Sequence, residues 1–337
     1  MTLALVQGRR GLATGLVLLA LGAALPFFVY PVFAIDLVCF AMVAVSFDLL
    51  LGFTGLLSFG QAMFWGGSGY TATILLQRAT NSFALAVLGG VVFAAILAFL
   101  VGALSVRRSG IYFAMITLAI AQIVFFLSFQ LVGLTGGENG VQIPTRGSLF
   151  GLSLENDRTY YFLVLAAAVL VTVVAIRVVT SPFGQVLAAM RENETRARSL
   201  GYATERFKLA TFVLSGALAG FAGALYSIGN RLAGLDGVDW HTSGAIVMMT
   251  ILGGIGTIFG PIVGAAVFES LEYFVSKTPI GDKTNLVMGF VFAVVILIAR
   301  RGIVGEILTR LFAPRQRLVE DEDNPDRLVP DPEPEPA

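Results

Sequence analysis

The chain has 337 residues, 56% of them hydrophobic and 13% charged, with a mean hydropathy of +0.84; a soluble domain carries about 25% charged residues, so most of this surface is not built to face water. Lys+Arg and Asp+Glu both number 22, but residues 319–337 hold eight acids and one base, so a body of +7 is cancelled by a tail of −7. A single Cys (Cys39) and a single His (His241) exclude a disulfide framework, a Cys/His zinc site and an iron–sulfur ligand set, and the absence of any Gly-Lys dipeptide excludes a Walker A loop, so ATP hydrolysis by this chain is not expected.

A hydrocarbon core about 30 Å thick needs roughly 20 apolar residues per helix, and ten runs fit. The first, 12–30, follows Arg9 and Arg10 and reads as a retained first helix, since a small-residue cleavage site is lacking. The others are 34–51, the Gly-rich 56–76, 83–104, 111–132, 160–179, 209–228, two shorter spans within 243–276 interrupted around Gly260-Pro261, and 286–299. Lys and Arg collect at Arg9/Arg10, Arg107/Arg108, 177–208 and 300–317. Ten spans put all four clusters on one face, which the enrichment of basic residues in cytoplasmic loops makes the cytoplasmic one, with both termini there. The loops 134–159 and 231–242 then face outward, as do Lys277 and Lys283, against the rule. The expected organisation is an all-α polytopic membrane domain over 1–317 with a cytoplasmic loop at about 181–207, followed by a disordered acidic Pro-rich tail at 318–337.

The spans contain few ionisable residues: Asp36, Asp48, Glu269 and Glu272. No chain of carboxylates and His crosses the bundle, which speaks against a proton-coupled carrier. Polar content is instead Ser, Thr and Gln, and Ser58, Gln61 and Thr117, with Phe64 beside them, are candidate residues of a translocation path for a neutral or zwitterionic solute. The alternative is plain interhelical hydrogen bonding. Gly216, Gly220 and Gly223 form one series of small residues and Gly256, Gly260 and Gly264 another, a spacing that lets helices approach closely. Tight packing within the bundle explains both series, and a subunit interface or moving seam is the sharper alternative.

The 181–201 segment is the most informative soluble stretch. Ser181-Pro182 is an N-cap and first-turn pair, Asn193 a second N-cap, and Gly201 a terminator. Glu194 and Arg198 are four apart in the favourable order, while Ala197 and Leu200 share another face. A capped helix of about seven residues results, too short to stand alone in water. It needs a docking surface, either this chain's own loops or a separate motor subunit.

These segments resemble one family. Arg191-Glu192-Asn193-Glu194 through Gly201, followed by Lys208 through Gly220, is similar to the coupling-loop signature of branched-chain amino acid ABC-importer permeases of the LivM type. Four further blocks agree in order: Gly52-Phe53-Thr54-Gly55-Leu56-Leu57-Ser58-Phe59-Gly60-Gln61, Gly110 through Ala119, Leu134 through Gly140, and Ile251 through Thr257 with Gly260-Pro261. The chain departs from the pattern at Gln61, where the family usually has His, at Ser68-Gly69-Tyr70, usually Gly-Ala-Tyr, and in the acidic tail. Leu134-Thr135-Gly136-Gly137-Glu138 looks like an ABC ATPase signature but falls on an outward loop, and it reads as a Gly-rich turn.

The resemblance implies a large ABC-importer permease architecture with an inverted pseudo-repeat. It also implies assembly in the inner membrane with a second, LivH-type permease, two cytoplasmic ATPases that hold the ATP and magnesium, and an external binding protein. No cofactor, metal or nucleic acid is expected on this chain. ATP-driven closure would pass through Arg191, Glu192, Glu194, Ala197, Arg198, Leu200 and Gly201 to the bundle. The implied cargo is a branched-chain amino acid; relatives in the group carry urea or short amides, and an autonomous channel or secondary carrier is the reading from another class.

Overall fold

The computed structural model describes residues 9–149, 151–278, 284–298, 302–304, 318–321 and 324–330. Helices occupy the places of the ten apolar runs: α1 (Arg9–Phe28), α2 (Pro31–Thr54), α3 (Gln61–Arg78), α4 (Phe83–Ser105), α5 (Ile111–Gln130), α6 (Asp157–Thr180), then two short helices α7 (Pro182–Glu192) and α8 (Glu194–Ser199), and α9 (Thr204–Asn230), α10 (Trp240–Gly253), α11 (Gly260–Ser276) and α12 (Thr284–Ile298). Five of them, α2, α4, α5, α6 and α9, are long and apolar enough to cross a membrane. The other five of the ten are shorter or more polar.

Helices α2 and α9 form the centre of the bundle, α9 packing against α2, α3 and α4. Helix α2 reaches further elements. It packs against α6, α9, α10 and α11, and it is buried along almost its whole length. Helices α4, α5 and α6 are buried on one side only and expose Leu88, Phe99, Ile123, Phe126 and Leu170, the expected outer wall of a bundle whose solvent is lipid. The core gathers Phe40, Trp65 and Tyr226, with ring centroids 5.0 Å apart for Phe40–Trp65 and for Trp65–Tyr226, and a second aromatic set of Phe64, Phe113 and Phe212.

At the end of the bundle opposite α7 and α8, the connections are tied by short antiparallel pairs. Val141–Gln142 pairs with Leu232–Ala233, and Ser148–Leu149 with Leu152–Ser153. Leu134 to Glu138 forms the Gly-rich turn read from the sequence: a single helical turn ends at Gly136 (φ +76°) and a 3-10 turn follows over Gly137–Asn139. His241 is exposed, its Nδ1 2.9 Å from Asp239 Oδ1.

Part of the acidic tail lies among the described residues. Leu318–Asp321 and Asn324–Pro330 form an antiparallel pair, with Val319 opposite Val329 and Glu320 opposite Leu328. The β-branched and Leu residues supply strand propensity, and Pro330 sits at a strand end, where its missing N–H does least harm. Residues 331–337, most of the basic segment 300–317 and Lys283 lie outside the described residues.

Candidate functional site

Helix α2 stops at Thr54 because Gly55 takes the left-handed conformation (φ +73°) and closes the end with Gly55 N donating to Leu51 O and Leu56 N to Leu50 O. The chain then turns back into the bundle. Gln61 Nε2 donates to Ser215 Oγ (3.2 Å), and Ser215 Oγ to Ser46 O (2.7 Å), so α3 begins level with Ser46, roughly 12 Å from the end of α2 at 1.5 Å per residue. A helix starting at that depth exposes backbone N–H groups where lipid and water offer no partner. Three hydroxyls supply them: Phe59 N donates to Thr117 Oγ1 (3.2 Å), Gly60 N to Ser58 Oγ (3.2 Å) and Ala62 N to Ser243 Oγ (2.9 Å).

Ser58, Gln61, Phe64 and Thr117 are therefore brought together around the start of α3, and all four are fully buried. Two of them serve the backbone, Phe64 stacks edge-on with Phe212 at 5.5 Å, and Gln61 Oε1 is buried with no hydrogen-bond partner among the described residues. Ser215 and Ser243 belong to the same cluster and were not singled out from the sequence. Their signal is weak, because a Ser inside an apolar run has the same appearance whether or not it caps another helix.

A second break lies beside the first. Helix α10 ends at Gly253, the chain turns through Gly254 (φ +121°) and Gly256 (φ +76°), and α11 starts at Gly260. Windows 51–60 and 251–260 carry the same succession of buried, half-buried and exposed positions, and both end in Phe-Gly followed by a helix. Gly256 N donates to Asp48 Oδ1 (2.7 Å), and Thr250 Oγ1 to Ala44 O (3.4 Å), so α2 and α10 run in the same direction with their breaks in contact. This correspondence is parallel and is separate from the inverted pseudo-repeat implied by resemblance.

The glycine series lie inside this subunit. A Cβ on Gly216 would meet Ala98 Cβ at 2.5 Å, and one on Gly220 would overlap the side chain of Ala94, so these glycines set the approach of α9 to α3 and α4. Gly264 packs on the α10 backbone at Met249 and Gly253, Gly260 on Thr257 and Gly254, and Gly256 on Gly52.

The segment 181–201 takes the capped form read from the sequence. Gly184 N donates to Ser181 Oγ (3.3 Å) and Arg196 N to Asn193 Oδ1 (2.9 Å), and Gly201 has φ +90°. Helix α8 has six residues. Phe183 stacks on Phe207 at 5.3 Å, and Glu194 Oε1 is 2.6 Å from Lys208 Nζ, a buried amine on α9, and 3.5 Å from Arg198 Nη2. The candidate coupling residues divide accordingly. Arg191 is exposed, yet its Nη1 donates to Gly52 O. Ala197 is buried, so it seats α8 on the subunit and presents nothing outward. Glu192 and Arg198 are exposed, and Leu200, 71% exposed, stands with Tyr202 on either side of Gly201 as an uncovered apolar pair.

At the opposite end, sequence reasoning missed Arg146. It is 2% exposed, with Nη1 2.6 Å from Asp157 Oδ1, Nη2 donating to Gly229 O (2.7 Å), and the guanidinium 4.8 Å from the centre of the Tyr160 ring. Glu155 accepts from Arg146 N and from Arg231 Nη2, joining the two connections at this end.

A family model described as the branched-chain amino acid transport system / permease component matches residues 32–299. The LivM permease protein of the high-affinity branched-chain amino acid transport system of Escherichia coli is 30% identical over 275 residues, covering 74% of this chain and 64% of that protein, and that of Salmonella typhimurium is 30% identical over 250 residues, covering 67% and 59%. The chain thus spans about three fifths of the length of these LivM relatives. The LivH permease of Salmonella typhimurium is 26% identical over 291 residues, covering 79% of this chain and 91% of that protein. No solved structure matches. The apolar helices, the broken spans and the match over residues 32–299 together place the chain in the branched-chain amino acid transport permease family, as a multi-pass membrane protein.

Proposed function

We propose that this chain is a membrane-spanning subunit of an ATP-driven importer that carries branched-chain amino acids inward by alternating access. The observation that carries the reading is the 181–201 segment: a capped knob too short to be stable alone, anchored through Glu194–Lys208 and Ala197, with Leu200 and Tyr202 uncovered. An uncovered apolar pair on a rigid charged knob suits a motor subunit that grips it. In this reading two ATPase subunits, which hold ATP and magnesium, dock at the α7–α8 end. That end then faces the cytoplasm, in keeping with the basic clusters at Arg107/Arg108 and 177–208, and the sheet-tied end faces the external binding protein. Similarity to both LivM and LivH proteins supports a paired, LivH-type permease.

The proposed path borders the start of α3. Ser58, Gln61, Phe64 and Thr117 are closed off in this structure, so a solute reaches them only when α3 and its preceding loop part from α5 and α10. The unpartnered Gln61 Oε1 supports a polar contact there. The test is uptake by proteoliposomes containing this chain with its permease partner, the ATPases and the binding protein. Saturable leucine uptake that requires ATP and is competed by isoleucine and valine supports the proposal. Uptake competed by urea or acetamide instead moves the cargo, and flux through the purified chain without ATPases overturns the importer reading.

A further inference from the structure

The last turn of α2 carries carbonyls with no partner inside the helix, and Gly52 O is one of them. The group that meets it comes from the far side of the bundle surface: Arg191, in the last turn of the short helix α7, whose Nη1 donates to Gly52 O and whose Cγ is 3.5 Å from the place a Cβ on Gly55 would take. A cation at a helix C-terminus is favourable in itself. The same spot joins the two breaks. Gly256 N donates to Asp48 Oδ1, and a Cβ on Gly52 would lie 2.6 Å from Gly256 N and 2.7 Å from Asp48 Cγ, so the backbones touch with no side chain between them. A Cβ on Gly256 would in turn lie 3.1 Å from Arg191 Nη1. Asp48 Oδ2 is buried with no hydrogen-bond partner among the described residues.

We propose that Arg191 and Asp48 are positioning residues that hold the α2–α3 and α10–α11 breaks against each other, and that movement of α7 withdraws Arg191 and lets the two breaks part. The inference rests on the reading of 181–207 as the coupling segment. Arg191 suits the role because it stands exposed at the end of α7 and yet reaches Gly52 O with its Nη1. Withdrawing it takes the donor from Gly52 O and leaves the Asp48 carboxyl without that neighbouring cation, which weakens the closed joint on both sides at once. Asp48 faces Gly256 from α2, and no part of this contact belongs to the cluster around Gln61. Movement at the surface therefore reaches both broken spans through one side chain.

The test uses the full chain in lipid nanodiscs and the complete transporter in proteoliposomes. With Arg191→Ala, amide hydrogen exchange is expected to rise roughly tenfold in both 52–60 and 254–259, the size expected from losing one charge-assisted hydrogen bond, while 141–149 and 231–239 stay within about twofold. In the complete transporter, uptake is expected to fall roughly tenfold with ATP hydrolysis held within about twofold; exposed Glu192→Ala, its neighbour, leaves exchange in both windows unchanged. Arg191→Lys, which keeps the cation, gives a smaller change of the same sign and decides the matter if the alanine variant does not reach the membrane. Unchanged exchange, a rise in only one window, or uptake and hydrolysis falling together overturns the proposal. If Arg191→Ala loosens both windows but uptake proves independent of the ATPases, the positioning role stands and the coupling reading falls.

Discussion

The two ends of the bundle are tied by different chemistry. At the sheet-tied end, Arg146 pairs with Asp157, Glu155 accepts from Arg146 N and from Arg231 Nη2, the Tyr160 hydroxyl donates to Leu225 O (2.6 Å), and two backbone pairs cross between connections. At the α7–α8 end the broken spans meet through glycine contacts and single hydrogen bonds, Gly256 N to Asp48 and Arg191 to Gly52 O. A set of ties anchored on the buried Arg146 and spread over several backbone and side-chain partners resists opening, because all of them have to be lost together. A joint made of one donor and one carbonyl opens at small cost. The difference suits a permease whose sheet-tied connections stay fixed while the breaks beside α7 move.

The largest expected effect comes from breaking the fixed end. Arg146→Ala removes the donor to the buried Gly229 carbonyl and the partner of the half-exposed Asp157, and is expected to cost about 1.5–3 kcal/mol. Thermal unfolding of the purified chain in detergent reads this as a large drop in Tm, and a loss below about 1 kcal/mol by the same measure contradicts a load shared through Arg146. Next is the joint between the breaks. Gly52→Ala drives a methyl into Gly256 and Asp48 and is expected to destabilise by about 1–3 kcal/mol, with faster hydrogen exchange confined to the two breaks. Exchange rising equally at 141–149 erases the contrast between the ends. The smallest effect sharpens it: Asn193→Ala removes the cap of α8 and is expected to cost about 1 kcal/mol, seen as faster exchange in 194–200 with the bundle unmoved.

Much of the architecture was legible because apolar runs bounded by charge are a strong signal, and the caps at Ser181, Asn193 and Gly201 are local chemistry read correctly from neighbours in sequence. The start of α3 was harder. Leu56 and Leu57 continue the apolar run, so the span was read from residue 56, whereas Gly55 and Gly60 break it and the helix begins at Gln61. The functions of Ser58 and Thr117 depend on which backbone groups the break orphans, and that is visible only once the fold brings 59 and 117 together. Asp48 and Arg191 are 143 positions apart in the chain, and nothing in either neighbourhood announces the other. Ala197 and Leu200 share a face on a helical wheel, but the helix ends at Ser199, so Ala197 turns into the subunit while Leu200, past the helix end, stands out.

The most direct test of a movable α7–α8 end driven from outside the bundle is the number of ATP molecules hydrolysed per amino acid taken up, measured in proteoliposomes for the native chain and for Glu194→Lys. That substitution sets a third positive charge beside Lys208 and Arg198 and lifts α8 from its anchor without touching the breaks or the sheet-tied end. The expected result is hydrolysis that persists while uptake is lost, with the protein at its normal level in the membrane. Uptake at the native rate and the native ratio contradicts the assignment of the α7–α8 segment as the place where the motor acts.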